Sequence, residues 1–279
     1  MLQAQRPRIS WLLGGLALLL VLIAGLPPPP AVLGSQQSLS VRPYPVAIAP
    51  GNQHWPAAFG DFVVWLDDAE SRPVIRANDL RTGNELRLSR EGGVPAGPPA
   101  VSGQVVVWPD YRGDTPTTPW ADPHLYAYDL SARTDFILSP VPGRQTEPRI
   151  DGSLVVWTDY RADPDKGDIY AYDLSTRREF PVLIDPAHQA QPAVSGQVVV
   201  WQDWRSGQAQ IYATDLRSGE VWPLTPAPGP YERPLVSGQR AVWLDSSGGT
   251  PQVAVYDLAT RTASPRSPVG VPSRSRAAR

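Results

Sequence analysis

Two stretches of the chain read nearly alike: QPAVSGQVVVWQDWRSGQAQIYATDL, Gln191–Leu216, and EPRIDGSLVVWTDYRADPDKGDIYAYDL, Glu147–Leu174. Each holds a proline-led apolar piece, a glycine turn, a run ending in VVW, an acidic residue, a loop of variable length and an IY piece closing on Asp-Leu. Working outward, the same phrase occurs five times. Its tryptophans, Trp65, Trp108, Trp157, Trp201 and Trp243, are spaced by 43, 49, 44 and 42 residues. A period of this size marks a repeat architecture.

Each unit predicts four short strands. In the fourth unit these are Pro192–Val194, Val198–Trp201, Ile211–Leu216 and Glu220–Thr225, the first pair joined by the Ser195–Gly196 turn. The VVVW run does not alternate, so both of its faces are buried. A short sheet covered on both sides describes a propeller blade held between two neighbours. The expected fold is therefore all-β, a five-bladed β-propeller over 44–265. The N-terminal side suggests how it closes. YPVAIAPGNQHWPAA, Tyr44–Ala58, matches FPVLIDPAHQAQPAV, Phe180–Val194, without a gap, so Tyr44–Ala49 reads as a fourth strand with no unit before it. After the fifth unit, Thr262–Ser267 contains Pro265 and makes a poor strand. The expectation is that the N-terminal strand completes the last blade and removes its open edge.

PAVSGQVVVWQDWRSGQAQIYATDLRSGEVWPLT, with its proline-led strand, glycine turn, IY strand and closing LT, resembles the TolB-type β-propeller repeat, as found in exported surface proteins. The resemblance covers roughly Tyr44 to Thr262. It implies the propeller fold. The sequence shows neither the α/β domain of TolB nor the hydrolase domain of propeller peptidases, so their roles do not come with it.

The first residues place the chain. MLQAQRPRIS carries Arg6 and Arg8 and no acid, and Trp11–Leu26 is 16 residues without a charge, followed by Pro27–Pro30. This reads as one hydrophobic helix over 1–34, a signal peptide with a cut after Gly34 or a membrane anchor. Residues 35–43 form a linker. The rest lies outside the cytoplasm, secreted or held by the helix. The tail 266–279 is basic and reads as disordered. A net charge of −2 gives no general reason to bind nucleic acid. The absence of cysteine excludes disulfides and thiol chemistry, and no pattern calls for a cofactor.

A residue present in every unit serves the unit, whereas one present once is free to serve a ligand. By that rule the five tryptophans are core, and Asp110–Arg112, Asp159–Arg161 and Asp203–Arg205 are structural ion pairs or turn caps. The connections between second and third strands vary, and variation on a rigid frame is where binding resides. Trp120 is singular there and suits a partner or a sugar ring. Asp163, Asp165 and Asp168 form a weak calcium candidate, offering oxygens without the further ligands of a complete loop. His54, His124 and His188 have no metal-ligand spacing. The residues before each leading proline line the channel mouth: Trp55, Pro98, Glu147, Gln191 and Arg233. Only Glu147 is acidic, whereas glycoside hydrolysis needs two carboxylates with separated roles. The sequence thus favours a binding module for an envelope protein or glycan, with Trp120, Glu147, Arg233, Gln191 and Trp55 as its candidate residues. The alternative is a glycoside or ester hydrolase centred on Glu147.

Overall fold

The computed structural model describes residues 43–112 and 122–263. The expected N-terminal helix, Trp120 and the basic tail lie outside these residues. The described part forms twenty strands in five four-stranded antiparallel sheets, each built from consecutive strands, a propeller-like arrangement. Sheet 1 holds β1 (Gln53–Phe59), β2 (Phe62–Asp67), β3 (Val74–Asp79) and β4 (Asn84–Arg87). Sheet 2 holds β5 (Ala100–Ser102), β6 (Val105–Asp110), β7 (His124–Asp129) and β8 (Thr134–Ile137). Sheet 3 holds β9 (Gln145–Asp151), β10 (Leu154–Asp159), β11 (Asp168–Asp173) and β12 (Arg178–Leu183). Sheet 4 holds β13 (Gln189–Ser195), β14 (Val198–Asp203), β15 (Gln210–Asp215) and β16 (Glu220–Pro223). Sheet 5 holds β17 (Tyr231–Ser237), β18 (Arg240–Asp245), β19 (Gln252–Asp257) and β20 (Thr262–Ala263).

Local chemistry sets these strands. The first hairpin of each sheet has a two-residue loop, as between Ser195 and Val198. Its leading glycine sits at φ 57° at Gly196, the left-handed conformation that such a tight hairpin needs and a side chain disfavours. The third and fourth strands turn on an aspartate. Asp173 Oδ1 accepts the Ser175 N–H (2.9 Å) and its hydroxyl (2.7 Å).

Each sheet has two faces, and four buried clusters join successive sheets. Val64, Leu66, Ile75 and Ala77 of sheet 1 meet Val106 and Trp108 of sheet 2. Val107, Leu125 and Ala127 of sheet 2 meet Val155 and Trp157 of sheet 3. Val156, Ile169 and Ala171 meet Val199 and Trp201, and Val200, Ile211 and Ala213 meet Ala241 and Trp243. Every one of these tryptophans thus lies against the forward face of the sheet before it.

The series stops at sheet 5. Among the described residues no buried cluster joins sheets 5 and 1. Val253 occupies in β19 the place of Ile75, Leu125, Ile169 and Ile211. It is 69% exposed, whereas those four are at 0%. Leu235 of β17 is exposed too. At the other end Pro56 is exposed where Pro148, Pro192 and Pro234 are buried.

The expected closure by the N-terminal strand is corrected here. Tyr44–Ala49 carries no strand, and its Tyr44 and Ile48 are exposed. The fourth strand of sheet 5 is β20, which pairs Tyr256 with Ala263 and Asp257 with Thr262. The reason is local. Asp257 Oδ1 accepts the N–H groups of Ala259 and Thr260 (3.0 Å each), which folds the chain straight back onto β19. A hairpin this short carries far less loop-closure entropy than a strand arriving from the far end of the chain.

The exposed flank gives a direct comparison. Ile211→Ala is expected to lower stability by about 2–5 kcal/mol, whereas Val253→Ala changes it by less than about 1 kcal/mol. Urea unfolding of the two variants checks this; equal losses would mean that Val253 is buried in solution.

Candidate functional site

The Asp-aromatic-Arg triplets resolve into one recurring clasp. Trp108, Trp157 and Trp201 donate their indole N–H to Asp110 (2.9 Å), Asp159 (2.8 Å) and Asp203 (2.8 Å). Arg112, Arg161 and Arg205 pair with the same carboxylates at 3.0, 2.6 and 2.6 Å. Each guanidinium also lies over the tyrosine paired with that tryptophan across the sheet: Tyr126 at 3.9 Å, Tyr170 at 4.1 Å and Tyr212 at 4.3 Å. The three aspartates are fully buried. A buried carboxylate held by a charge partner and N–H donors is committed to structure. Sheet 5 has Ser247 where the arginine stands, and the indole nitrogen of Trp243 has no partner.

Four of the five expected channel-mouth residues share one backbone state. Trp55, Glu147, Gln191 and Arg233 have φ between 50° and 57°. Side chains rarely adopt this region, at a cost of about 1–2 kcal/mol each. In all four sheets the pairing of the first two strands shifts register at this point, a bulge that turns the residue out of the ladder. The structure also links three of them. Glu147 Oε2 accepts the Thr158 hydroxyl (2.8 Å) and the Gln191 N–H (2.8 Å). Gln191 Oε1 accepts the Arg233 N–H (2.9 Å). Each side chain thus caps the strained amide of the next sheet. Arg233 ends the line because a guanidinium has no acceptor. A second line runs along the hairpin turns. Gly152 donates its N–H to Ser102 Oγ (3.0 Å), Gly196 to Asp151 Oδ2 (2.6 Å) and Gly238 to Ser195 Oγ (3.0 Å).

Above Glu147 lies a ladder of planar groups from two sheets. The Arg144 guanidinium is 3.8 Å from the Tyr160 ring centre. Tyr160 is tilted against His188 at 6.0 Å, and His188 stacks on Trp204 at 4.7 Å. His188 Nδ1 accepts the Gly167 N–H (2.9 Å), which places the proton of the neutral ring on Nε2. Gly167 is required there, because a Cβ would meet Thr158 Cγ2 at 2.4 Å. Arg144 donates to the Pro164 carbonyl (3.2 Å) and Lys166 to the Pro186 carbonyl (3.1 Å), so the 162–168 loop is pinned to this ladder. Burial holds His188 below the usual imidazole range, with the Glu147 charge opposing it and the Arg144 charge adding to it.

The calcium candidate does not assemble. Asp163 Oδ1 accepts the Asp165 N–H (2.9 Å), while Asp168 is buried and accepts the Asp185 N–H (3.1 Å). Burial pushes the Asp168 carboxyl up. Among the described residues no group of three or more His, Asp or Glu side chains is placed to hold a metal. His54 lies 3.2 Å from Asp68, apart from the other histidines. Trp55 is half-exposed and tilted against His54 at 5.9 Å.

Nothing in the repeat pattern singled out Arg144 or Tyr160 of sheet 3, or Trp204 of sheet 4, as neighbours of His188, since the ladder forms only where two repeats pack. Two inter-sheet clefts were also not foreseen, because they lie on the face of the short, near-identical turns. One of about 510 Å³ lies between sheets 4 and 5. There Arg261 covers the Trp222 ring at 4.6 Å and pairs with Glu220 through both nitrogens. The other, of about 460 Å³, holds Phe136 and Arg177 in the equivalent places between sheets 2 and 3.

No family profile matches the chain, and no curated protein matches it. Solved structures do. TolB from Acinetobacter baumannii is 23% identical, with a TM-score of 0.58 over 78% of this chain, which spans 55% of that protein. A prolyl endopeptidase is 16% identical with a TM-score of 0.59, covering 76% of this chain and 34% of its own. An oligogalacturonate lyase in complex with manganese is 16% identical with a TM-score of 0.52, covering 73% and 61%. These likenesses establish a TolB-like propeller fold and no more, since the same fold carries unrelated functions.

His188 gives a pH signature. Its folded pKa lies below the ordinary 6.5, so the unfolded chain binds this proton first and folding stability falls as pH drops through about 6.5. Protonation also removes the acceptor for Gly167. The raised Asp168 acts in the opposite sense, so the His188 part is read by difference. Urea midpoints at pH 7.5 and 5.5 are expected to fall less in His188→Gln than in the wild type; an unchanged fall would remove His188 from the acid response.

Proposed function

We propose that this chain is an exported or membrane-anchored β-propeller that works as a binding module for an envelope protein or a glycan. The observation that carries the reading is the Arg144–Tyr160–His188–Trp204 ladder, built at the rim beside Glu147, Gln191 and Arg233. One face of Trp204 rests on His188, and among the described residues no ring or guanidinium covers its other face. A partly exposed indole stacked on His188 suits a pyranose ring or an apolar side chain. Trp120, which lies outside the described residues, remains the second candidate anchor on the strength of the sequence alone.

The hydrolase reading centred on Glu147 has less support. One oxygen of Glu147 is committed to two hydrogen bonds, one from Thr158 within sheet 3 and one from the Gln191 N–H of sheet 4. No second carboxylate stands at the other three left-handed positions of this set, which are filled by Trp55, Gln191 and Arg233. Acid–base hydrolysis with separated roles needs that second group. The export reading rests on the N-terminal sequence and is consistent with a TolB-like fold.

Glycan-array binding and envelope pull-downs with wild type, Trp204→Ala and Trp120→Ala test the module. Binding by wild type that falls at least about tenfold in Trp204→Ala is expected. Binding unchanged in both variants would contradict the site. Turnover of an aryl glycoside or ester that Glu147→Gln abolishes would replace this reading with the enzyme.

A further inference from the structure

The five sheets permit a comparison at one position, the residue after the leading proline. It is Ala57, Ala100, Ala193 and Leu235 in four sheets and Arg149 in the third. The register is the same in all five, opposite Val64, Val107, Val200, Val242 and Val156. Three sheets therefore use a small apolar residue here, on the innermost strand, and sheet 3 uses a guanidinium.

Arg149 is half-buried, and its one hydrogen bond runs from Nη1 to the Pro148 carbonyl (3.1 Å). A guanidinium carries five donors and stays charged in a protein. Among the described residues no carboxylate comes within the 4.0 Å of an ion pair. That distinguishes it from Arg112, Arg161 and Arg205, each of which has its own aspartate. Glu147, two residues earlier, is near enough for its charge to favour the cation, while burial pulls the Arg149 pKa down. Yet Glu147 Oε2 faces Thr158 and the Gln191 amide instead. Arg233 lies further along the same hydrogen-bonded line, exposed and with no ion pair among the described residues, and adds positive field at the rim.

We propose that Arg149 is an oxyanion-binding residue at the inner rim of sheet 3, taking a carboxylate, phosphate or sulfate group of the ligand through its planar fork of donors. A partly desolvated guanidinium with most donors open binds such a group in bidentate fashion, which a point-charge lysine does not reproduce. The inference deepens the binding-module reading, since it names the chemistry of the ligand at the same rim. A chain that binds small oxyanions but no glycan or envelope partner would keep this inference and lose that reading.

The test is calorimetric titration of the full chain with inorganic phosphate, sulfate and glucuronate at constant ionic strength, with chloride as the reference. The three probes separate a phosphorylated, a sulfated and a carboxylated source. Wild type is expected to bind at least one of them. Arg149→Ala should lose about tenfold or more in affinity, and Arg149→Lys should fall between the two. Alanine stands at this position in three sister sheets, so Arg149→Ala should melt at or above wild type in oxyanion-free buffer. The inference is overturned if no probe binds, if Arg149→Ala binds as wild type does, or if it melts well below wild type without oxyanion, which would make Arg149 a structural residue.

Discussion

The fold depends on burying one indole from each of sheets 2 to 5 against the sheet before it. A four-stranded sheet with apolar residues on both faces cannot cover itself, so each sheet needs two neighbours. Trp108, Trp157 and Trp201 are each fully buried in such an interface. An indole removes about 150–250 Å² from water, which at about 25 cal/mol per Å² is an upper bound of ~4–6 kcal/mol for each. Burial also removes the indole N–H from water, and the aspartate two residues on restores its partner. That aspartate is then a buried charge, which the arginine two further on neutralises while stacking on the tyrosine across the strand. The whole Trp-Asp-Arg-Tyr set thus follows from one large apolar ring with one polar atom.

The same logic weakens the far end. Sheet 5 keeps Trp243 and Asp245 but not the arginine, its indole nitrogen is unpartnered, and its forward face meets no cluster among the described residues. The rim line reaches Arg233 and ends on a residue that accepts nothing. The turn line ends at Gly238. In an array held by neighbour contacts, stability falls toward an end that lacks one neighbour. The candidate rim sits instead between sheets 3 and 4, where both neighbours and both lines of hydrogen bonds are present.

Much of this was legible in the chain. The Trp register, the glycine hairpins and the fourfold strand pattern locate all five sheets, because each is a local signal repeated five times. The closing strand was misread for a physical reason. Tyr44–Ala49 has the composition of a fourth strand, but composition does not weigh a distant pairing against the short hairpin that Asp257 nucleates. The left-handed state of Trp55, Glu147, Gln191 and Arg233 was invisible, since none is a glycine; only their shared place before a proline marked them. The ladder escaped notice because Tyr160 and His188 come from adjoining repeats and meet only after the sheets pack. Arg149 was visible as an outlier among alanines, but its lack of a carboxylate is a fact of three dimensions.

Native-state hydrogen exchange, read by mass spectrometry on peptides covering β15 and β19, tests the neighbour-dependent frame most directly. The two strands are equivalent third strands, one with a sheet on both sides and, among the described residues, one without. The account predicts that Val253–Val255 amides exchange at least about a hundredfold faster than Ile211–Ala213 amides. Equal protection of the two strands would show that sheet 5 has a packed neighbour in solution and would contradict the open flank.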